Sequence, residues 1–154
     1  MDYNSVARRI LDDIAFATLA TVTSEGEPWN TPVFCAHDGS NIYWASHPDS
    51  VHSQNIAATG KVFIAIYNSQ AGEGEGVGLY MQASAHVLTD RSEIECALDL
   101  LGKRRGKPFE HIEKFLEDGP QRIYVAKPLQ AWINDAARDE DGDFIKDFRR
   151  EVTL

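Results

Sequence analysis

Apolar residues first recur at the helical period, with Val6, Ile10 and Ile14 four apart and Ala7 and Leu11 beside them. That spacing predicts an amphipathic helix over 4–14. The period then shortens to two. Phe16 to Thr23 is rich in strand formers, and Ser24-Glu25-Gly26-Glu27 signals a turn. Pro28 to His37 makes a second extended run, closed by Asp38-Gly39, a short-hairpin signal, and Asn41 to Ser46 makes a third. A short helix from about Ser50 to Thr59 is expected next, stopped by Gly60. In Lys61 to Asn68, Val62, Ile64 and Ile66 alternate with Phe63, Ala65 and Tyr67. With both faces apolar, this strand is expected to be central and covered on both sides.

Ser69 to Gly78 holds four glycines and is expected to be a mobile loop. Leu79 to Leu88 resumes as a strand, with Tyr80, Gln82, Ser84 and His86 on one face and Leu79, Met81, Ala83, Ala85 and Val87 on the other. Asp90 with Glu93 opens a capped helix bearing Ile94, Ala97, Leu98 and Leu101. Pro108 suits the first turn of another helix, with Phe109, Ile112 and Leu116 on one side and Gly119-Pro120 at its end. Arg122 to Ala126 and Leu129 to Asp135 read as two strands interrupted by Lys127-Pro128. Asp139 to Asp143 is a charged turn, and the last eleven residues form a final strand or a tail. The expectation is one α+β domain over residues 1–154, with an antiparallel sheet closing into a barrel.

Composition narrows the function classes. A net charge of -9 argues against binding to nucleic acid or to an anionic membrane surface. The first sixteen residues carry acids within their apolar stretch, unlike a signal peptide, and no segment has the apolar length of a membrane span. Cys35 and Cys96 form no CxxC pair and are expected as buried thiols, which fits a cytoplasmic protein.

The richest chemistry lies in Ser46 to Asn55, SHPDSVHSQN, where a strand gives way to a helix. A helix start presents unpaired backbone N–H groups and the positive end of the peptide dipoles, so it holds an anion readily. Ser46, Ser50, His52 and Ser53 add donors suited to a phosphate. Two readings stand: a phosphate site, or a helix simply capped by Asp49 or Ser50. The five histidines match no zinc spacing, and DEDGD lacks the length and terminal Glu of a calcium loop, so no metal is expected. GEGEG in the glycine-rich loop lacks the Lys-Ser/Thr of a phosphate loop, but its glycines would suit a lid. GKRRGK, Gly102 to Lys107, is either a solvated helix end or a contact for an anionic substrate or partner.

The order of FATLATVTSEGEPWNTPVF, DGSNIYWASHPDSVHSQNI, KVFIAIYNS and GLYMQASAHVLTD resembles the pyridoxamine 5′-phosphate oxidase-like flavoproteins, over about Ala15 to Asp90. The resemblance implies a split β-barrel that forms a homodimer, with two FMN sites at the subunit interface. It implies that the flavin ring lies along Asn30, Thr31, Pro32 and Val33, and that the phosphate sits at Ser46, Ser50 and His52. Gln82 is the matching polar residue that reaches the ring, and Trp132 the matching aromatic from the partner subunit. Better-known members carry Arg and Lys where this chain has Val51 and His52. Losing the bidentate Arg weakens the phosphate contact and leaves room for a deazaflavin coenzyme or for no cofactor. The implied function is an FMN-dependent oxidoreductase acting on a small molecule, with no residue singled out as catalytic. The alternative is a non-enzymatic carrier or sensor of flavin, deazaflavin or haem on the same dimeric barrel.

Overall fold

A computed structural model describes residues 2–74 and 76–154. Helix α1, Tyr3–Asp13, starts at Asp2, whose carboxylate accepts from the Asn4 amide. Its apolar face buries Ala7, Ile10 and Leu11. No basic residue lies in its last turn to meet the free carbonyls. Arg104 meets them instead: its two Nη atoms donate to the carbonyls of Leu11 and Asp12, each at 2.7 Å.

Strands β1 (Phe16–Val22), β2 (Pro28–His37) and β3 (Ile42–Ser46) follow as antiparallel neighbours. Asp38 tightens the β2–β3 turn by accepting from the Ser40 and Asn41 amides and from the Tyr43 hydroxyl. Helix α2, Val51–Thr59, ends at Gly60, whose φ of 66° is the left-handed conformation that glycine adopts freely. Strands β4 (Lys61–Tyr67) and β5 (Gly78–Val87) come next. Helix α3, Arg91–Arg105, starts with the expected cap, Asp90 accepting from the Glu93 amide. The long β6 (Arg122–Arg138) and β7 (Phe144–Val152) complete the sheet.

The strand order is β3-β2-β1-β4-β5-β6-β7, and β3 also pairs with β6. That extra pairing closes the sheet into an antiparallel split barrel, with β7 as an added edge. Leu19, Trp44, Ile64, Leu79 and Met81 fill the interior with no solvent exposure. A second cluster, built on Leu88, Ile94, Leu98, Leu101 and Phe115, seats α3 against the outside of β2, β3 and β6. No helix among the described residues is long and apolar enough to cross a membrane.

Four expectations need correction. The segment after Pro108 is not a regular helix; only Ile112–Phe115 makes a 3-10 turn. The Lys114 carbonyl is taken by the Gln121 amide at 3.0 Å, and Arg122 bonds the carbonyls of Glu117, Gly119 and Gln121. Gly119 crosses so close to Lys114 that a Cβ there would stand 2.3 Å from its carbonyl oxygen. These contacts remove the carbonyls a continuing helix would use.

The second correction concerns Lys127-Pro128, which does not interrupt the chain's last long strand. β6 bonds to β3 through Ala126 and to β7 from Ala131, so one edge is free between them. Pro128 occupies that free stretch, where its missing N–H costs no ladder bond. Gln82 faces Gln130 and Ala83 faces Pro128, so Leu129 bulges out. Third, β4 is central but not covered evenly on both sides: Tyr67, on its second face, is 54% exposed. Fourth, Cys35 is buried as expected but Cys96 is exposed, since it falls on the outer side of α3. Burial pushes the Cys35 thiol up to about 11, against the opposing charge of Arg104.

Arg104→Ala is expected to cost about 2 kcal/mol of stability, since it orphans two helix-end carbonyls that accept charge-assisted bonds. Arg104→Lys, lacking the planar fork, should restore less than half of the loss. Urea denaturation midpoints test this, and an unchanged midpoint in the alanine variant would show that water replaces the guanidinium at no cost.

Candidate functional site

Helix α2 is unusual in what it buries. Of its inward residues only Ile56 is apolar, whereas His52, Ser53 and Asn55 are polar. Burying unpaired polar groups is costly, so each must be bonded. Asn55 Nδ2 donates to Thr21 Oγ1 at 2.9 Å, fastening the helix to the inner face of β1. His52 is 7% exposed, and its Nε2 lies 2.8 Å from Ser46 Oγ and 3.3 Å from Ser50 Oγ. Ser50 Oγ donates to the His47 carbonyl at 2.8 Å. Having one proton, it then accepts from Ser53 Oγ, 2.9 Å away.

Ser46, Ser50, His52 and Ser53 therefore form one bonded cluster at the end of β3 and the start of α2. Ser50 holds the N-cap position but makes no side-chain cap bond. The helix start thus keeps first-turn amides for another acceptor, beside three hydroxyls and an imidazole. No Lys or Arg occurs between Ser46 and Asn55. Burial lowers the pKa of His52 from its ordinary 6.5, so in the free protein the imidazole is neutral at pH 7. The cluster offers neutral donors and a helix dipole, with no fixed positive charge.

The other expected residues lie on the barrel wall. Asn30 and Pro32 are exposed on the outer face of β2. Thr31 and Val33 point the opposite way. Thr31 accepts from Trp29 Nε1 at 3.0 Å and Val33 is buried in the core, so neither side chain faces the outer surface. Only their backbones could reach a ligand there. Sequence alternation across β2 already distinguishes these two pairs.

Asn30, Ala20, Phe63 and Gln82 share one register row across β2, β1, β4 and β5. At the usual strand spacing, Asn30 and Gln82 stand about 14 Å apart. Trp132 sits two register positions along, opposite Tyr80, and stacks on Phe63 with ring centroids 6.4 Å apart. Arg149 lies over the Tyr80 ring at 4.4 Å and the Phe63 ring at 5.2 Å. Gln82 lines a cavity of about 480 Å³ with Thr59, Lys61, Phe63, Ser84 and Leu129. That cavity adjoins the C-terminal end of α2, about 14 Å along the helix from the hydroxyl and imidazole cluster at its start. One chain thus brings Ser46, Ser50 and His52 together but keeps Gln82 and Trp132 apart from them. Lys61, Phe63 and Arg149 were missed from the sequence, because only strand pairing places them beside Gln82 and Trp132.

A buried histidine with a lowered pKa makes stability depend on pH. The folded state disfavours the charged form, so this contribution is complete above pH 6.5 and declines as pH falls through the lowered folded value. NMR titration should place the His52 midpoint below 6.5, and His52→Gln should flatten the loss of stability across that interval. An unchanged pH slope in His52→Gln would show that the imidazole does not supply it.

The sequence profile of the family described as pyridoxamine 5′-phosphate oxidase matches residues 5–135. No curated protein matches the chain by sequence. Among solved structures, the haem storage protein HutZ of Vibrio cholerae is 18% identical with a TM-score of 0.70, covering 84% of this chain and 92% of its own. A haem binding protein of Mycobacterium smegmatis is 18% identical with a TM-score of 0.69; the alignment covers 94% of this chain but only 56% of that one. An F420 reductase is 18% identical with a TM-score of 0.61, covering 80% and 94%. At these identities the structures speak to the fold alone. The profile match spans most of the chain and agrees with the barrel's strand order, so the chain belongs to the pyridoxamine 5′-phosphate oxidase family.

Proposed function

We propose that this protein is an FMN-dependent oxidoreductase acting on a small organic molecule in the cytoplasm, with residues 1–154 working as one flavin-binding domain. The observation that carries the reading is the uncapped start of α2, furnished with the bonded Ser46, Ser50, His52 and Ser53 cluster. Those residues fit a phosphate through neutral donors and first-turn amides. In this reading the flavin ring lies along Asn30 and Pro32 and the backbone of Thr31 and Val33, with Gln82 directed at it. When bound, the flavin supplies hydride and electron transfer; the chain's residues orient it and exclude water.

The same proposal includes a homodimer. Phe16, Val22, Tyr67 and Leu129 are 61%, 49%, 54% and 67% exposed, a large apolar commitment for one barrel wall. A second copy covering that wall would bring its own Trp132 toward the ring. A specific observation also supports a second reading, a non-enzymatic carrier or sensor of flavin, deazaflavin or haem. With Val51 and a neutral His52 at the start of α2, a bound phosphate finds no cationic partner at either position.

Added FMN should lose its fluorescence on binding, and His52→Ala or Ser50→Ala should each weaken binding about tenfold, or about 1.4 kcal/mol. Anaerobic bleaching of the yellow complex by NAD(P)H would establish the enzyme over the carrier. Unquenched FMN would sink both flavin readings. Light scattering is expected to give twice the 17.2 kDa chain mass, and a monomer would remove the interface.

A further inference from the structure

The basic stretch at the end of α3 finds a place in the fold that its sequence alone did not reveal. Gly106, with a φ of 73°, stops α3 and turns the chain back, and the Lys107 amide bonds the Gly102 carbonyl. The turn folds Arg105 and Lys107 over the segment that carries Lys114. Together with His47 and His111 they line a cavity of about 530 Å³, within the range that holds small-molecule ligands. Glu110 is the one carboxylate among its lining residues. With both histidines neutral the lining carries a formal charge of +2, in a chain whose net charge is -9.

Arg105 is held in place rather than left to wander in solvent. Its Nε donates to the Lys107 carbonyl at 2.6 Å and one Nη to the Pro108 carbonyl at 2.8 Å. Its guanidinium carbon lies 3.7 Å above the Phe109 ring, which in turn packs edge-on against the buried Phe115. The other Nη has no hydrogen-bond partner among the described residues. A guanidinium fixed on two carbonyls and an aromatic face, with a free N–H pair, has already lost the side-chain entropy that binding an anion would cost. Among the described residues, no carboxylate lies within salt-bridge distance of Lys107 or Lys114, so both ammonium groups are available.

We infer that this cavity is a second binding site, for a small molecule bearing a phosphate or carboxylate cluster, held by Arg105, Lys107 and Lys114. It is separate from the hydroxyl and imidazole cluster, although His47, three residues before the Ser50 cap of α2, borders it. The inference does not rest on the flavin reading, because none of its three cations belongs to the proposed cofactor site. A negatively charged protein repels anions at long range, so a local cluster of three unpaired cations is the place where that repulsion reverses. Glu110 opposes binding and is outnumbered three to one.

Isothermal titration of the purified protein with pyrophosphate in one arm and citrate in another tests the site. At least one should bind, and added salt should weaken it, as for any contact made between exposed charges. The ratio of the two affinities tells a phosphate ligand from a carboxylate one. Lys107→Ala/Lys114→Ala should weaken the better probe about tenfold or more, with thermal stability unchanged because both side chains are exposed. His52→Ala should leave it within about twofold. No binding of either probe at about 10 mM would overturn the proposal, since such an affinity is below a useful site. An equal affinity in the double variant, or a loss in His52→Ala matching that of the double variant, would also overturn it. Failure here with FMN still bound would remove the cavity and leave the cofactor reading intact.

Discussion

The fold depends on β6 holding two sets of partners. Its first half, to Ala126, pairs with β3, and its second half, from Ala131, pairs with β7, while β5 runs along the other edge from Tyr124 to Ile133. The β3 contact is what turns an open sheet into a barrel, and it removes edges that would otherwise invite pairing with another chain. The change of partner leaves one short free edge at Lys127 to Gln130. Proline is acceptable there and a bulge is harmless, so Pro128 and Leu129 mark the change of partner rather than a break.

Closure has a chemical consequence. α2 packs where β1, β2 and β5 bring its buried side against the barrel, and it meets that position with His52, Ser53 and Asn55 rather than with a full apolar face. The polar groups are tolerated because Thr21, Ser46 and Ser50 bond them. The same burial that orders the cluster keeps His52 uncharged. The start of α2 therefore has donors without charge, and the nearest concentration of unpaired cations lies across His47, in the cavity under the end of α3. Charge and hydrogen-bonding capacity, which Arg and Lys would have combined at one place, are kept in two.

Much of this was legible in the chain. The helix expected over 4–14 forms as Tyr3–Asp13, and the period-two runs form β1 to β5 within a residue or two. The Asp90 cap and the Gly60 stop fall where local chemistry put them. The cluster of Ser46, Ser50 and His52 was readable because seven residues of contiguous sequence carry it. What misled was equally local: Pro108 with Phe109, Ile112 and Leu116 has a helix's spacing, but Gln121 and Arg122 claim carbonyls of that segment.

Sequence by itself determined the elements, because side-chain period, caps and turns act over a few residues. It also determined the family, through the order of those elements, and the donor types at the start of α2. Tertiary structure alone decided which donors are neutral, since the lowering at His52 comes from burial. It decided that Arg104 would serve a helix 92 residues earlier, and that Gln82 would line a cavity at the far end of α2. It also gathered Arg105, Lys107 and Lys114 around one space. Those outcomes depend on groups that meet only when the barrel closes and α3 docks, and no local pattern of residues encodes such a distance.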